Sequence, residues 1–281
     1  MTTRSTPQIL FVLGKGGVGR STVSTALGLA AARRGERALV FEWTVADSIG
    51  PWFGKAPAGE SPVEVAPGLS VANYTLDAAL RAYFVDHLRL ARFHRHVVQG
   101  APVRALLDAA PGIAELLFLG TLWWLTTLAP DEAGLAFDRV IVDAPATGHG
   151  ASILDLPETL GSMRAAGLLG REVARVTQMM RDPRRTGAVV VATPEDLAIE
   201  ESVELLPRLE RALGRRPVAA FVNRATARLL PDASSIAPLD WPVSPPARQA
   251  LEALLSDLVG RARAEARLSE LFARATERGV V

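Results

Sequence analysis

The sequence has 281 residues, 49% hydrophobic and 22% charged, with 31 basic and 30 acidic side chains and a formal net charge of +1. That length and apolar share suit one large domain spanning 1–281, and the near-zero charge argues against a nucleic-acid partner. Cysteine is absent, which excludes disulfides, iron–sulfur clusters and thiolate metal sites, zinc among them.

The residues ahead of the first apolar run are few and polar, unlike a signal peptide. Gln8-Ile9-Leu10-Phe11-Val12-Leu13 is long enough for a buried strand. Gly14-Lys15-Gly16-Gly17-Val18-Gly19-Arg20-Ser21-Thr22 follows, and small and apolar residues from Thr22 to Arg34 predict a helix. The pattern G-x-x-x-x-G-K-[ST] is met except at Arg20, where lysine is expected. A strand, a glycine-rich turn and a helix N-terminus direct backbone N–H groups and partial positive charge at an anion. Residues 14–22 are therefore the candidate cradle of a nucleoside triphosphate. Lys15 stands out, because the chain has only two lysines, Lys15 and Lys55.

Further apolar runs predict strands at Ala38–Trp43, Leu69–Asn73, Arg139–Asp143, Ala188–Thr193 and Val218–Asn223. Val140-Ile141-Val142 and Val189-Val190-Val191 show no alternation, as in strands covered by helices on both faces. Alternation of such strands with helices predicts a doubly wound, parallel α/β sheet with ligands at the carboxyl ends of its strands. From about 74 to 133 the strand signal gives way to helix, so a helical subdomain is expected inside the α/β domain. Its run from Leu116 to Pro130 is uncharged but shorter than the roughly 20 residues a bilayer needs. A cytoplasmic location is expected. His94 and His96, flanked by arginines, read as a solvated helix face and not as a metal pair. The tail from Ser244 to about Thr276 reads as one more helix.

Asp143 ends an apolar strand. A carboxylate placed there beside a phosphate loop can hold the water shell of Mg²⁺ while the loop hydroxyl, Ser21, binds the ion. ATP and Mg²⁺ are the expected ligands.

The string Asp143-Ala144-Pro145-Ala146-Thr147-Gly148-His149-Gly150 resembles the D-T-A-P-T-G-H-T signature of the ArsA-like arsenite-pump ATPases and tail-anchored-protein-targeting ATPases. Leu154-Asp155-Leu156-Pro157-Glu158, Pro111-Gly112-Ile113-Ala114-Glu115, Thr193-Pro194-Glu195 and Phe221-Val222-Asn223-Arg224 resemble further motifs of that family, and the early lysine resembles its deviant Walker A loop. The likeness covers about 8–225 and is that of the family's bacterial branch. It implies a P-loop ATPase working as a nucleotide-switched dimer, a homodimer or a heterodimer with a homologous ATPase. It implies that Lys15 reaches the partner's phosphates and that Asn223 contacts adenine. Pro145, Thr147, Gly148 and His149 would belong to a γ-phosphate switch. It also implies that the helical subdomain offers a groove to a hydrophobic client or membrane protein, although an apolar helix there equally fits a buried core.

Two departures bear on catalysis. Thr44 takes the place of the family's water-positioning aspartate, leaving Glu42 and Asp47 as nearby carboxylates; a bacterial subgroup carries glutamate at this strand end, which favours Glu42. Arg20 is bulkier than the lysine it replaces and alters the phosphate cradle. Slow hydrolysis by the chain alone is expected, and a hydrolysis-impaired subunit paired with a competent homologue is the alternative. A partition- or septum-positioning ATPase shares the loop but explains neither the T-G-H string nor the helical insertion. Without cysteine, the family's thiolate site for arsenite and its zinc-bridged dimer are both excluded.

Overall fold

The fold, taken from a computed structural model, is described for residues 6–44, 48–81, 112–127, 137–145, 153, 167–225 and 244–281. Seven strands form one sheet in the order β3-β4-β2-β5-β1-β6-β7. They are β1 (Ile9–Leu13), β2 (Ala38–Glu42), β3 (Val63–Ala66), β4 (Leu69–Asn73), β5 (Arg139–Asp143), β6 (Thr186–Ala192) and β7 (Ala219–Val222). All neighbours run parallel except β3, which pairs antiparallel with β4. The doubly wound α/β sheet expected from the apolar runs is present, and it is the fold of a P-loop nucleotide-binding protein. The chain fills one side of β1 with β2, β4 and β5, then crosses to the other side with β6 and β7. The end of β1 is therefore the switch point, where α/β sheets open a crevice for ligands.

Every residue of β1, β2, β5 and β6 is buried, which is why their sequences show no alternation. The edge strand β3 went unrecognised in the sequence for the converse reason. Val63-Glu64-Val65-Ala66 is four residues long and mostly exposed or half-buried, so it carries neither a long apolar run nor a marked pattern. A Pro67-Gly68 turn brings it back against β4, with Gly68 at φ 76 and its N–H donated to Glu64 Oε1 over 3.0 Å.

Helix α1 (Arg20–Ala32) packs on β1, β2 and β5. Gly28 allows the close approach: a Cβ there would stand 2.8 Å from Leu69 and 2.9 Å from Val40. The region expected to be helical is described at α2 (Leu76–Arg81) and α3 (Ile113–Thr127); residues 82–111 and 128–133 of it lie outside the described residues. Phe118 of α3 stacks on Phe41 of β2 with ring centroids 5.7 Å apart, and Trp43 and Tyr74 close on it at 4.6 and 4.9 Å. Phe41 points away from the face that Val40 presents to α1, so α3 covers the opposite face. Leu116, Phe118, Leu119, Leu122 and Leu125 are buried. Trp123 and Trp124 are partly buried, and Arg175 of α4 (Gly167–Arg181) lies 4.5 Å over the Trp123 ring. The helix is apolar on most sides because the sheet, α2 and α4 all press on it. Helices α5 (Asp196–Leu213) and α6 (Pro245–Ala275) complete the described chain; the predicted tail helix is α6. Among the described residues no helix is long and apolar enough to cross a membrane.

The aromatic cluster makes Phe118 a sensitive point. Replacing this fully buried ring with alanine should cost about 3–5 kcal/mol. Urea unfolding followed by circular dichroism should show the loss, and a change below about 1 kcal/mol would mean that α3 does not hold the sheet.

Candidate functional site

The glycine loop leaves β1 and enters α1 with no room to spare on its inner side. A Cβ at Gly14 would collide with the Val191 carbonyl of β6, and one at Gly19 with the Asn223 amide beyond β7. Gly19 also sits at φ 92, a left-handed conformation that glycine adopts without penalty. It is the N-cap of α1, and no side chain caps that helix or places an acidic group in its first turn. The first N–H groups of α1 therefore open toward the loop with their share of the helix dipole. Gly16, Gly17 and Thr22 are exposed, and Val18 is buried beneath the turn.

Three polar residues stand in one row across the carboxyl ends of adjacent strands: Asn73 pairs with Glu42, and Glu42 with Asp143. Asp143 is 3% exposed. Ser21 Oγ donates to Asp143 Oδ2 over 2.6 Å, and Ser24 Oγ, one turn later, reaches Oδ1 at 3.4 Å. Burial pushes the Asp143 carboxyl above its ordinary range; Ser21, the Arg20 charge and Ser24 pull it back in that order. Arg20 donates from Nη1 to the Ala144 carbonyl. Burial lowers the pKa of its guanidinium, and the Asp143 charge opposes this.

Glu42 is fully buried, and its Oε1 accepts from the Ser48 hydroxyl at 2.8 Å and the Ser48 N–H at 3.3 Å. Thr44 is held through its backbone: its N–H donates to Asn73 Oδ1 at 3.3 Å, and its carbonyl accepts from Asn73 Nδ2 at 3.1 Å. Lys15 lies 3.7 Å from Glu201 of α5, both half-exposed, a geometry worth little in water. Asn223 Nδ2 donates to the Val18 carbonyl at 2.8 Å. Pro145 is half-buried, next to Ala144. Asp47, Thr147, Gly148 and His149 lie outside the described residues.

The structure thus brings together the glycine loop, Ser21, Asp143, Glu42, Thr44 and Asn223 around the end of β1. Sequence reasoning missed four contributors. Ser24 was legible in principle, three residues after Ser21 on the same helix face. Asn73 required the strand register. Ser48 and Glu201 carry no signal in their own sequence surroundings.

A model of the anion-transporting ATPase family matches residues 7–168. The chain belongs to the anion-transporting ATPase family. The stretch shared with that family contains the glycine loop, Glu42, Thr44 and Asp143, and stops short of Asn223. An arsenical pump-driving ATPase of Acidiphilium multivorum is 28% identical over 69% of this chain and 36% of its own length. One from Escherichia coli is 27% identical over 90% of this chain and 45% of its own length. The ATPase BagA of Mycobacterium tuberculosis is 25% identical over 70% of this chain and 59% of its own length. The chain spans less than two thirds of the length of these curated relatives.

A carboxylate buried at a strand end weighs on the fold that holds it. The Asp143 pKa is raised on folding, so its contribution to stability is complete below the ordinary carboxylate value of about 3.9 and is lost as pH rises through the raised one. Asp143→Asn should therefore unfold at a higher temperature than the parent at neutral pH in metal- and nucleotide-free buffer. The gap should close as pH falls into the carboxylate range. Calorimetric scans at several pH values check this, and an unchanged or lower midpoint at neutral pH would contradict it.

Proposed function

We propose that the chain binds Mg·ATP in the glycine loop and hydrolyses it. The observation that carries this reading is the 2.6 Å bond between Ser21, in the first turn of α1, and Asp143 at the end of β5. A hydroxyl and a carboxylate meeting beneath a ring of backbone N–H groups form an oxygen donor set that suits magnesium with a triphosphate. Bound there, the ion would offset the charge of the phosphates. The protein's part is positioning. The loop N–H groups and the α1 N-terminus hold the anion, and Ser21 and Asp143 supply the oxygens at its metal side. Glu42 orients the attacking water, its carboxylate fixed by Ser48. Thr44, held by Asn73, shapes the entrance next to it.

Family membership supports ATPase chemistry, and the resemblance of the early lysine to the family's deviant Walker A loop supports Lys15 acting on a partner's phosphates after leaving Glu201. A homologous ATPase as the second subunit belongs to this reading. So does a hydrophobic client or membrane-protein partner at the helical region, supported by the incomplete burial of Trp123 and Trp124. A second reading, a hydrolysis-impaired subunit, is favoured by one contact. Arg20 bonds the Ala144 carbonyl, which turns at least one edge of its guanidinium away from the cradle.

Isothermal titration tests the first reading. The parent should bind Mg·ATP, and Ser21→Ala should weaken binding by about tenfold, the loss of roughly one charge-assisted hydrogen bond. Failure of the parent to bind at millimolar nucleotide would end the proposal. Turnover separates the two readings: Arg20→Lys should raise the rate of the isolated chain by at least about tenfold if the guanidinium misplaces the phosphates. A brisk parent rate that Arg20→Lys leaves alone would restore an ordinary self-sufficient ATPase.

A further inference from the structure

The amide of Asn223 is committed to the protein backbone at both ends. Its Nδ2 donates to the carbonyl of Val18 across 205 residues of chain, at 2.8 Å. Its Oδ1 accepts the N–H of Arg224 at 3.0 Å. Arg224 stands at φ 56, the one non-glycine residue in the left-handed region among those described. Such a conformation is uncommon and persists where surrounding contacts impose it. The main chain is anchored as well, since the Asn223 N–H donates to the Ala192 carbonyl of β6 at 2.8 Å. Asn223 thus links the end of β6 to the middle of the glycine loop. The fit is close, because a Cβ at Gly19 would occupy the space of the Asn223 amide.

We infer that Asn223 is a positioning residue for the triphosphate: it locks the glycine loop through the Val18 carbonyl, so part of its contribution to affinity falls on the phosphates whatever base they carry. The inference rests on the nucleotide-binding reading above and differs from a role in reading adenine. A side-chain amide has two N–H donors and an acceptor oxygen with two lone pairs. One donor is engaged by Val18 and one lone pair by Arg224. The donor and the lone pair left over can still meet a base, whereas the tether to Val18 serves any triphosphate. The tie to Val18 fixes the turn that precedes Gly19. With the loop held, its N–H groups are aligned before the anion arrives, and binding does not have to order them.

The test uses three ligands, Mg·ATP, Mg·GTP and magnesium tripolyphosphate, titrated calorimetrically into the full chain and into Asn223→Ala. A positioning role predicts that affinity for tripolyphosphate falls along with that for both nucleotides, by about tenfold for one lost hydrogen bond that preorganises the site. If ATP affinity falls while tripolyphosphate binding is unchanged, Asn223 reads the base and the inference is wrong. Hydrogen exchange on the ligand-free protein gives an independent reading. The Val23 amide, bonded to the Gly19 carbonyl at 3.1 Å, should exchange faster in Asn223→Ala while β2 and β4 keep their protection, and unchanged exchange at Val23 would also overturn the tether. Should the parent bind none of the three ligands, the nucleotide-binding reading fails, and the exchange experiment still decides the tether. If Asn223→Ala does not fold, Asn223→Gln, which displaces the same amide by one methylene, should show the same loss of tripolyphosphate affinity.

Discussion

A carboxylate buried at the end of a central strand has to be met by donors, and much of this molecule is arranged around that need. Asp143 receives the hydroxyls of Ser21 and Ser24, which lie one turn apart on α1. Two contacts from one helix face fix both the rotation of α1 and its height above the sheet. Gly28, further along, lets the same helix settle onto β2 and β4. Once α1 is placed, its N-terminus lies over the end of β1, and the loop between them must pass close to Val191 and Asn223. The glycines at 14 and 19 follow from that closeness. In this sense the glycine loop is shaped from below, by the bonding of one acidic group, as much as by its own sequence.

The central strands were legible because burial on both faces leaves an unbroken apolar string, which no competing element of five residues imitates. The edge strand β3 was not, since half of it faces solvent and its pairing depends on a Pro67-Gly68 turn. The loop, Ser21 and Asp143 were legible because chemistry restricts which residue types can stand there. What the sequence did not disclose are contacts made by folding alone. The bond from Asn223 to Val18 and the row of Asn73, Glu42 and Asp143 depend on strand order and register, and no local pattern encodes either. Arg20 lies between these cases. Its bulk relative to lysine was evident, whereas its engagement with the Ala144 carbonyl depends on where β5 ends beside α1.

The departures from the family pattern concentrate on one side of the site. Arg20 meets the start of the Asp143–His149 segment, and Thr44 and Glu42 lie on the neighbouring strand end. The loop glycines, the α1 terminus, the Ser21 hydroxyl and the strand-end carboxylate, by contrast, follow the pattern. The departures leave the glycine turn and the contact between Ser21 and Asp143 undisturbed.

Trp43 stands in sequence between Glu42 and Thr44, and its ring lies 4.6 Å from Phe118 and 4.9 Å from Tyr74. The Tyr74 hydroxyl in turn holds the Ala114 carbonyl at the start of α3 at 3.0 Å. A close-packed set of rings does not deform by degrees. If the strand end at Glu42 and Thr44 moves, Trp43 must either stay in its slot or leave it, and α3 registers the difference. The rings thus tie the strand end that carries Glu42 and Thr44 to the seating of α3.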